Sequence, residues 1–297
     1  MSPEALGATA VLGASGYIGA SLARTWREPV GGQLVLFARR PEVLNQPWAA
    51  DLQRRPIAEF DAAQFGLTVN AIGAGDPGKV AELGAEILDV TRDWDQRILS
   101  RLRPNGRYVF LSSGAVYLGQ AGGPYGEAKR TAEARHRRFA AQAVLDVRVF
   151  GYADPTLDLS GGFFLSQLAR SAATGAPFRT SRSDMVRDYA GAAELSDLIC
   201  AWLAWGAPNV ALDLYTLAPV SKLELLDLAQ RDFGVAVEWV STLEAPPTGE
   251  KPRYASNDHA AERIGYRPRR RSLDVVRAVL EAVTAAAARP RDGHHPT

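Results

Sequence analysis

Apolar positions change their period repeatedly along this chain. In "ATAVLGASGYIGASLARTW" a short apolar run gives way to a glycine-rich turn and then to helical spacing through Ile18, Leu22 and Trp26, which predicts strand, loop and helix. "GGQLVLFARR" predicts a second strand, beginning after Gly31 and Gly32 and ending in two arginines. "FGLTVNAIGAGDP" predicts another, closed by glycines and Pro77. "AELGAEILDVTRDWDQRILSRL" carries the stripe of one amphipathic helix, and "GRYVFLSSGAVY" reads as a strand. "PYGEAKRTAEARHRRFAAQ" is helical after its first residues, and "AVLDVRVFGY" returns to strand. Strands alternating with helices predict an α/β fold, a doubly wound parallel sheet with helices on both faces.

After about residue 151 the rhythm loosens. "GYADPTLDLSGG" reads as a loop, "FFLSQLARSAATG" as a helix, and "FRTSRSDMVRDYAGAAELSDLICAWLAWG" as a turn-rich stretch leading into a helix. "NVALDLYTLAP" predicts one more strand; "SKLELLDLAQRDFG" and "SLDVVRAVLEAVTAAAA" predict helices opened by serine. The expected organisation is a first domain over 1–151 and a smaller lobe over 152–297, with about 186–217 returning to the first domain. The polar tail "RPRDGHHPT", with His294 and His295, reads as a tail and not as a metal site.

Composition removes several function classes. Thirty-four basic against 33 acidic side chains leave a net charge of +1, so no overall field marks a nucleic-acid or membrane-surface binder. "RPRRR" at 267–271 is read as a solvated loop. The lone Cys200 rules out an internal disulfide and a cysteine-rich zinc site, and no metal is expected. No apolar run approaches the roughly 18 residues of a spanning helix, and "MSPEALGATAVLGASGYIG" lacks a basic region before its apolar stretch. Cytoplasm is the expected location.

The candidate chemistry begins with "GASGYIG". Gly13, Gly16 and Gly19 fall between a strand and a helix, where they permit a tight turn and let the backbone approach a pyrophosphate favoured by the free N–H groups of the helix start. This predicts a Rossmann-type dinucleotide site. At the end of the second strand, where a carboxylate would hold the ribose 2′-OH, the chain has Arg39 and Arg40, which suit a 2′-phosphate. NADP is therefore expected, with NAD as the alternative.

Tyr125 and Lys129 are four residues apart, so a helix beginning near Pro124 sets them on one face. A neighbouring ammonium, or an oxidised nicotinamide, stabilises phenolate and lowers the pKa of a tyrosine otherwise near 10. Ser113, at the end of the preceding strand, could hydrogen-bond a carbonyl oxygen while Tyr125 protonates it and a hydride reaches the carbon. Ser113, Tyr125 and Lys129 are the expected catalytic residues.

Together these segments resemble the short-chain dehydrogenase/reductase superfamily, and more closely its extended branch, the NAD-dependent epimerase/dehydratase family acting on nucleotide-sugars. "GASGYIG" is similar to that branch's cofactor loop, "VFLSSGAVY" to its catalytic-serine strand, "PYGEAK" to its Tyr/Lys motif, "VRVFGYADP" to the loop by the nicotinamide and "MVRDYAGAAELSDLI" to its Arg-Asp-aromatic segment. "ASNDHAAERIGYRPRRRSLDVVRAVLEAV" is similar to its closing helices, so the resemblance spans nearly the whole chain. It implies cofactor contacts at Gly13, Ser15, Gly16, Tyr17 and Ile18, at Ala71, Ile72 and Gly73, at Leu111 and Phe150, and at Tyr125 and Lys129. It implies substrate contacts at Ser113 and Arg187, with Asp188 holding the backbone; Arg179, Arg182, Phe163 and Phe164 are further lobe candidates. A homodimer through a helix pair is also implied.

The chain departs from the family in three places: a short stretch between Tyr117 and Tyr125, "VNAIG" in place of a His-bearing strand end, and the paired arginines. The expected function is an NADP-dependent reductase of a nucleoside-diphosphate keto-deoxysugar, of the 4-ketoreductase type. The alternatives are an epimerase with tightly bound NAD, a reductase of another carbonyl compound, and a non-catalytic NADP-binding sensor. A dehydratase is disfavoured, because that branch resembles proteins with acidic residues after the catalytic Ser/Thr, where this chain has Gly114 and Ala115.

Overall fold

The computed structural model describes residues 7–26, 32–73, 77–241 and 252–289; the tail histidines lie outside the described residues. The first part of the chain forms β1 (Thr9–Leu12), α1 (Tyr17–Thr25), β2 (Leu34–Ala38), β3 (Gln53–Pro56), β4 (Leu67–Asn70), α2 (Pro77–Leu83), α3 (Glu86–Leu99), β5 (Arg107–Ser113), α4 (Gly123–Arg137) and β6 (Ala143–Val149). Then come β7 (Gly151–Tyr152), α5 (Phe164–Thr174), β8 (Phe178–Thr180), β9 (Val186–Arg187), β10 (Tyr189–Ala190), α6 (Ala192–Ala204) and β11 (Val210–Leu214). The chain closes with β12 (Val220–Ser221), α7 (Lys222–Phe233), β13 (Val237–Trp239), β14 (Arg253–Tyr254) and α8 (Ser272–Ala288).

Seven strands make one parallel sheet in the order β11-β6-β5-β4-β1-β2-β3. The chain starts at β1, winds out to one edge through β2 and β3, and crosses back to β4 to build the other half. The strand order therefore reverses between β1 and β4, and such a switch point leaves a crevice beyond the carboxyl ends of the strands. All seven residues of β5 are buried, as expected for a strand covered on both faces.

Two cores sandwich the sheet. Leu22 of α1 and Leu195, Leu198, Ile199 and Trp202 of α6 pack on one face. Ile98 and Leu99 of α3 and Ala132 of α4 pack on the other, with Phe37, Tyr108 and Phe110 from the strands. A third core in the C-terminal half joins α5, α7 and α8 through Leu165, Leu168, Leu225, Leu228, Val276 and Leu280. No helix among the described residues is long and apolar enough to cross a membrane.

Two local expectations change. The single helix read from "AELGAEILDVTRDWDQRILSRL" is broken into α2 and α3, because Gly84 takes φ +50°, a left-handed turn that glycine accepts without strain. β3 was not foreseen. "QRRP" is polar, and as an edge strand it pairs on one side only, so neither apolar period nor composition marks it.

Candidate active site

The glycine turn is shaped by close backbone approaches. Gly13 has φ +71°, and a Cβ there would sit 2.8 Å from the Ala71 carbonyl oxygen, across the switch point. A Cβ on Gly19 would lie 2.4 Å from the Gly13 carbonyl oxygen, and one on Gly16 3.1 Å from the same atom. The start of α1 is thus folded down onto β1 with no room for side chains. Gly16 is the N-cap, without a side-chain cap, and the first turn of α1 holds no acidic residue, so its N–H groups and positive dipole end are not neutralised from within the helix. Ser15 and Gly16 are exposed. Ile18 packs on the core, and the Tyr17 hydroxyl accepts the Asp154 backbone N–H at 2.7 Å, so the Tyr17 side chain faces the lobe. The Ala14 N–H donates to the Phe37 carbonyl at 3.1 Å, which sets the end of β2, and with it the exposed Arg39 and Arg40, beside the turn.

The end of β4 forms the next wall. Ala71 N–H donates to the Leu12 carbonyl at 3.0 Å, and Ile72 N–H to Asn70 Oδ1 at 3.0 Å. The Asn70 amide in turn donates to the Tyr108 hydroxyl at 2.9 Å, giving the "VNAIG" ending a structural task. Gly73 faces the lysine of α4; a Cβ on it would lie 3.8 Å from Lys129 Nζ.

Ser113 ends β5 and caps the 3₁₀ segment Gly114–Gly122, its Oγ accepting the Ala115 N–H at 3.2 Å. Pro124, pre-set for a first helical turn, opens α4 and brings Tyr125 and Lys129 onto one face. Lys129 is buried; its Nζ donates to the Leu111 carbonyl at 2.7 Å and lies 4.4 Å from the Phe110 ring and 5.6 Å from the Tyr125 ring. Burial lowers its pKa to about 8, against the pull of Asp95, Asp146 and Glu133, which favour the ammonium. Burial raises the pKa of Tyr125, and its hydrogen bond with Ser113 works the other way. The site at neutral pH therefore holds a neutral phenol between a serine hydroxyl and a buried ammonium.

A charged layer lies behind the lysine. His136 of α4 contacts Asp146 at 2.5 Å through Nδ1 and Asp95 at 2.8 Å through Nε2; the ring and both carboxylates are fully buried. Arg135 pairs with Asp95, Arg137 with Asp146, and Tyr108 donates to Asp95 at 2.8 Å. Burial alone would lower the His136 pKa; the two carboxylates outweigh it and raise it to about 9. Sequence reasoning missed this layer. A signal existed: Asp95 falls on the apolar stripe of α3 with Ile87 and Ile98, and His136 follows the buried Ala132 by one turn.

The C-terminal half adds Tyr254, also unforeseen. Its hydroxyl lies 3.0 Å from Ser113 Oγ, and its ring meets Phe150 edge-on at 5.3 Å between centroids. Phe150 also stacks with Tyr117 at 6.0 Å and lies against Gly114, where a Cβ would meet the ring at 2.4 Å. Arg187 pairs in strand register with Tyr254, and is partly buried with its pKa lowered by burial. Asp188 is buried and accepts from Thr216 Oγ1 at 2.7 Å and Ser272 Oγ at 2.9 Å, tying the lobe's strands to α8. Arg179 is exposed on β8 with Glu238 at 3.7 Å, and Arg182 lies over Trp239. Phe163 is exposed before α5, and Phe164 packs on Phe178.

No family model matches the chain, and no curated protein matches it in sequence. Solved structures do match its fold. The UDP-glucose 4-epimerase of Stenotrophomonas maltophila, with bound NAD and formylated UDP-arabinopyranose, superposes with a TM-score of 0.78 at 16% identity over 95% of this chain and 99% of that one. TunA, an NAD-dependent NDP-hexosamine 5,6-dehydratase involved in tunicamycin biosynthesis, gives 0.74 at 18% over 94% and 98%. RMD from Pseudomonas aeruginosa, complexed with NADPH, gives 0.72 at 17% over 96% and 100%. The chain shares the fold of these three structures. The resemblance read from the sequence holds at the level of the fold. At such identity the shared fold says nothing by itself about substrate, and the chemistry rests on the residues described above.

Proposed function

We propose that this protein is an NADP-dependent oxidoreductase that reduces the keto group of a nucleoside-diphosphate keto-deoxysugar, at its C4. The observation that carries the reading is the placing of Ser113 at the end of β5 and of Tyr125 and Lys129 on one face of α4, with a desolvated ammonium 5.6 Å from the phenol ring.

The residues present fit a phosphorylated dinucleotide. The Gly13–Gly16–Gly19 turn is a cradle that any Cβ would fill, at the un-neutralised start of α1, and suits a pyrophosphate. Arg39 and Arg40 would hold the 2′-phosphate, Lys129 the nicotinamide ribose, and Ala71 to Gly73, Leu111 and Phe150 would line the remainder. NADPH, when bound, supplies the hydride. Ser113 donates a hydrogen bond to the substrate carbonyl oxygen and orients it. Tyr125 gives its proton to that oxygen, so the ketone becomes an alcohol and the phenol a phenolate. Lys129 stabilises the phenolate until solvent returns the proton. Arg187, a partly desolvated cation on the lobe side, would meet the substrate diphosphate.

Epimerisation with retained NAD is the second reading, favoured by the NAD in similar folds such as the Stenotrophomonas epimerase. Titration of nicotinamide fluorescence with NADPH and NADH separates the two. Tighter NADPH binding, followed by stoichiometric NADPH consumption with a 4-keto-6-deoxy nucleotide-sugar, supports reduction; NAD carried through purification, with interconversion of nucleotide-sugars and no net cofactor turnover, replaces it by epimerisation.

A further inference from the structure

We propose that Asp154 is a positioning residue that ties the entry to the lobe to helix α1, so that a cofactor bound at the start of α1 orders the segment leading into the lobe. The role given to the cofactor rests on the reading above; the tie itself is drawn from residues outside Ser113, Tyr125 and Lys129.

Helix α1 carries two stripes. Ile18 and Leu22 pack on the core of the sheet. Tyr17, Ser21 and Arg24, spaced i, i+4 and i+7, share a second face. All three side chains end on Asp154, which lies 130 residues or more beyond them. The Tyr17 hydroxyl accepts the Asp154 N–H at 2.7 Å and donates to the Asp154 carbonyl at 3.2 Å. Ser21 Oγ donates to Asp154 Oδ2 at 2.5 Å, and the Arg24 guanidinium to Oδ1 at 2.7 Å. Because Ser21 gives its one proton to Asp154, the Tyr152 hydroxyl 2.9 Å away is the donor in their contact. Thr156 completes the arrangement, its N–H at 2.9 Å and its hydroxyl at 2.6 Å from Oδ1, while its Oγ1 accepts from Arg24 at 2.8 Å.

This link is stiff for a physical reason. Asp154 is buried, and a buried carboxylate is tolerated only when it is paired and hydrogen-bonded. Shifting α1 away from residue 154 strands that carboxylate, so the two move together. Tyr17 is the first residue of α1, directly after the N-cap Gly16. Its backbone therefore belongs to the glycine turn and its side chain to the lobe. On the far side, Asp154 follows β7, which pairs with β10 in the register Gly151 to Tyr189 and Tyr152 to Ala190, and the Ala153 N–H donates to the Ala190 carbonyl at 2.9 Å. Phe150, just before β7, lies against Gly114. The span 150–154 thus runs from the ring beside Ser113's neighbour to the anchor on α1. A pyrophosphate that fixes the first turn of α1 fixes Tyr17, and through its hydroxyl the Asp154 peptide.

The test is amide hydrogen exchange of the full-length chain, followed by NMR without cofactor and with saturating NADPH or NADH, whose binding is read by fluorescence on the same samples. In the wild type the bound cofactor should slow exchange of the Asp154 and Thr156 amides about 2- to 10-fold, the worth of one hydrogen bond held more firmly. Tyr17→Phe keeps the ring and removes only the hydroxyl. It should speed Asp154 exchange in the free protein by a similar factor and abolish the cofactor effect at both amides. Each variant is read at its own saturating concentration, so a change in affinity does not enter. If Tyr17→Phe does not fold, Arg24→Gln, at the partly exposed end of the stripe, should reduce the cofactor effect at Thr156 about twofold. Were Asp154 needed only for the lobe's own structure, the variants would lose protection yet respond to cofactor as the wild type does, and that result overturns the proposal. A wild type that binds cofactor with no change at Asp154 and Thr156 overturns it too. Absence of binding in the wild type is a separate outcome, seen in the fluorescence alone; it defeats the proposed function, and the coupling falls with it.

Discussion

Lys129 Nζ donates to the Leu111 carbonyl oxygen at 2.7 Å inside a site that excludes water from its charge. Its folded pKa of about 8 lies below the ordinary 10.5, so burial disfavours the ammonium. Stability from this group is complete above pH 10.5 and is lost as pH falls through 8. The shift corresponds to about 3 kcal/mol at neutral pH. Lys129→Met removes the charge but strands the Leu111 carbonyl, at about 1 kcal/mol. Urea unfolding at pH 7 should show a variant more stable by about 1–2 kcal/mol, with the gain gone above pH 10.5 and with turnover abolished. A less stable variant at pH 7 would mean that the ammonium is a net support of the fold.

Arg39 and Arg40 are exposed beside the glycine turn, where a guanidinium can clamp a phosphate without being needed by the core. Charge-assisted hydrogen bonds of this kind are worth about 1.5–3 kcal/mol, or roughly 10- to 150-fold in affinity. Arg39→Ala/Arg40→Ala should weaken NADPH binding by that factor and leave NADH binding within about twofold. Equal losses for the two cofactors would remove the arginines from the 2′-phosphate site.

What could be read from the chain is local. The glycine turn, the β5 strand ending in Ser113 and the Tyr125–Lys129 pair each lie within one segment, and the spacing alone brings their parts together. Tyr254 escaped because nothing within its own segment, "PRYAS", points to a serine 141 residues earlier. β3 escaped because an edge strand of polar residues has no apolar period. Asp95 and His136 lie on apolar helix faces, and only packing of α3 against α4 shows each to be the other's partner.

Gly19 should be less replaceable than Gly16. A Cβ there meets the Gly13 carbonyl at 2.4 Å, and neither backbone can retreat without opening α1 from β1. Gly19→Ala is expected to cost about 1–3 kcal/mol, the range for an overpacked core, and to weaken both nicotinamide cofactors together. Gly16→Ala, with 3.1 Å to the same oxygen, should cost less. Thermal unfolding of the two variants, each with and without NADPH, checks the order; a milder Gly19→Ala would show that α1 can shift.

The pairing of His136 with Asp95 and Asp146 gives the fold an opposite dependence on pH. Its pKa is raised from 6.5 to about 9 by the two carboxylates, against the cost of burial. The corresponding stability, roughly 3 kcal/mol, is complete below pH 6.5 and is lost as pH rises through 9. Between pH 8 and 9 this loss runs against the gain from deprotonating Lys129, so the slope is best read in Lys129→Met, where the histidine contribution is free of the lysine's. There, unfolding free energy should fall from pH 6.5 to 9. Adding His136→Gln should flatten that slope and lower stability at pH 6 by about 3–5 kcal/mol, because two buried carboxylates lose the charge between them, leaving Arg135 and Arg137 as their cations. A slope that survives the substitution would place the titrating group elsewhere in the protein.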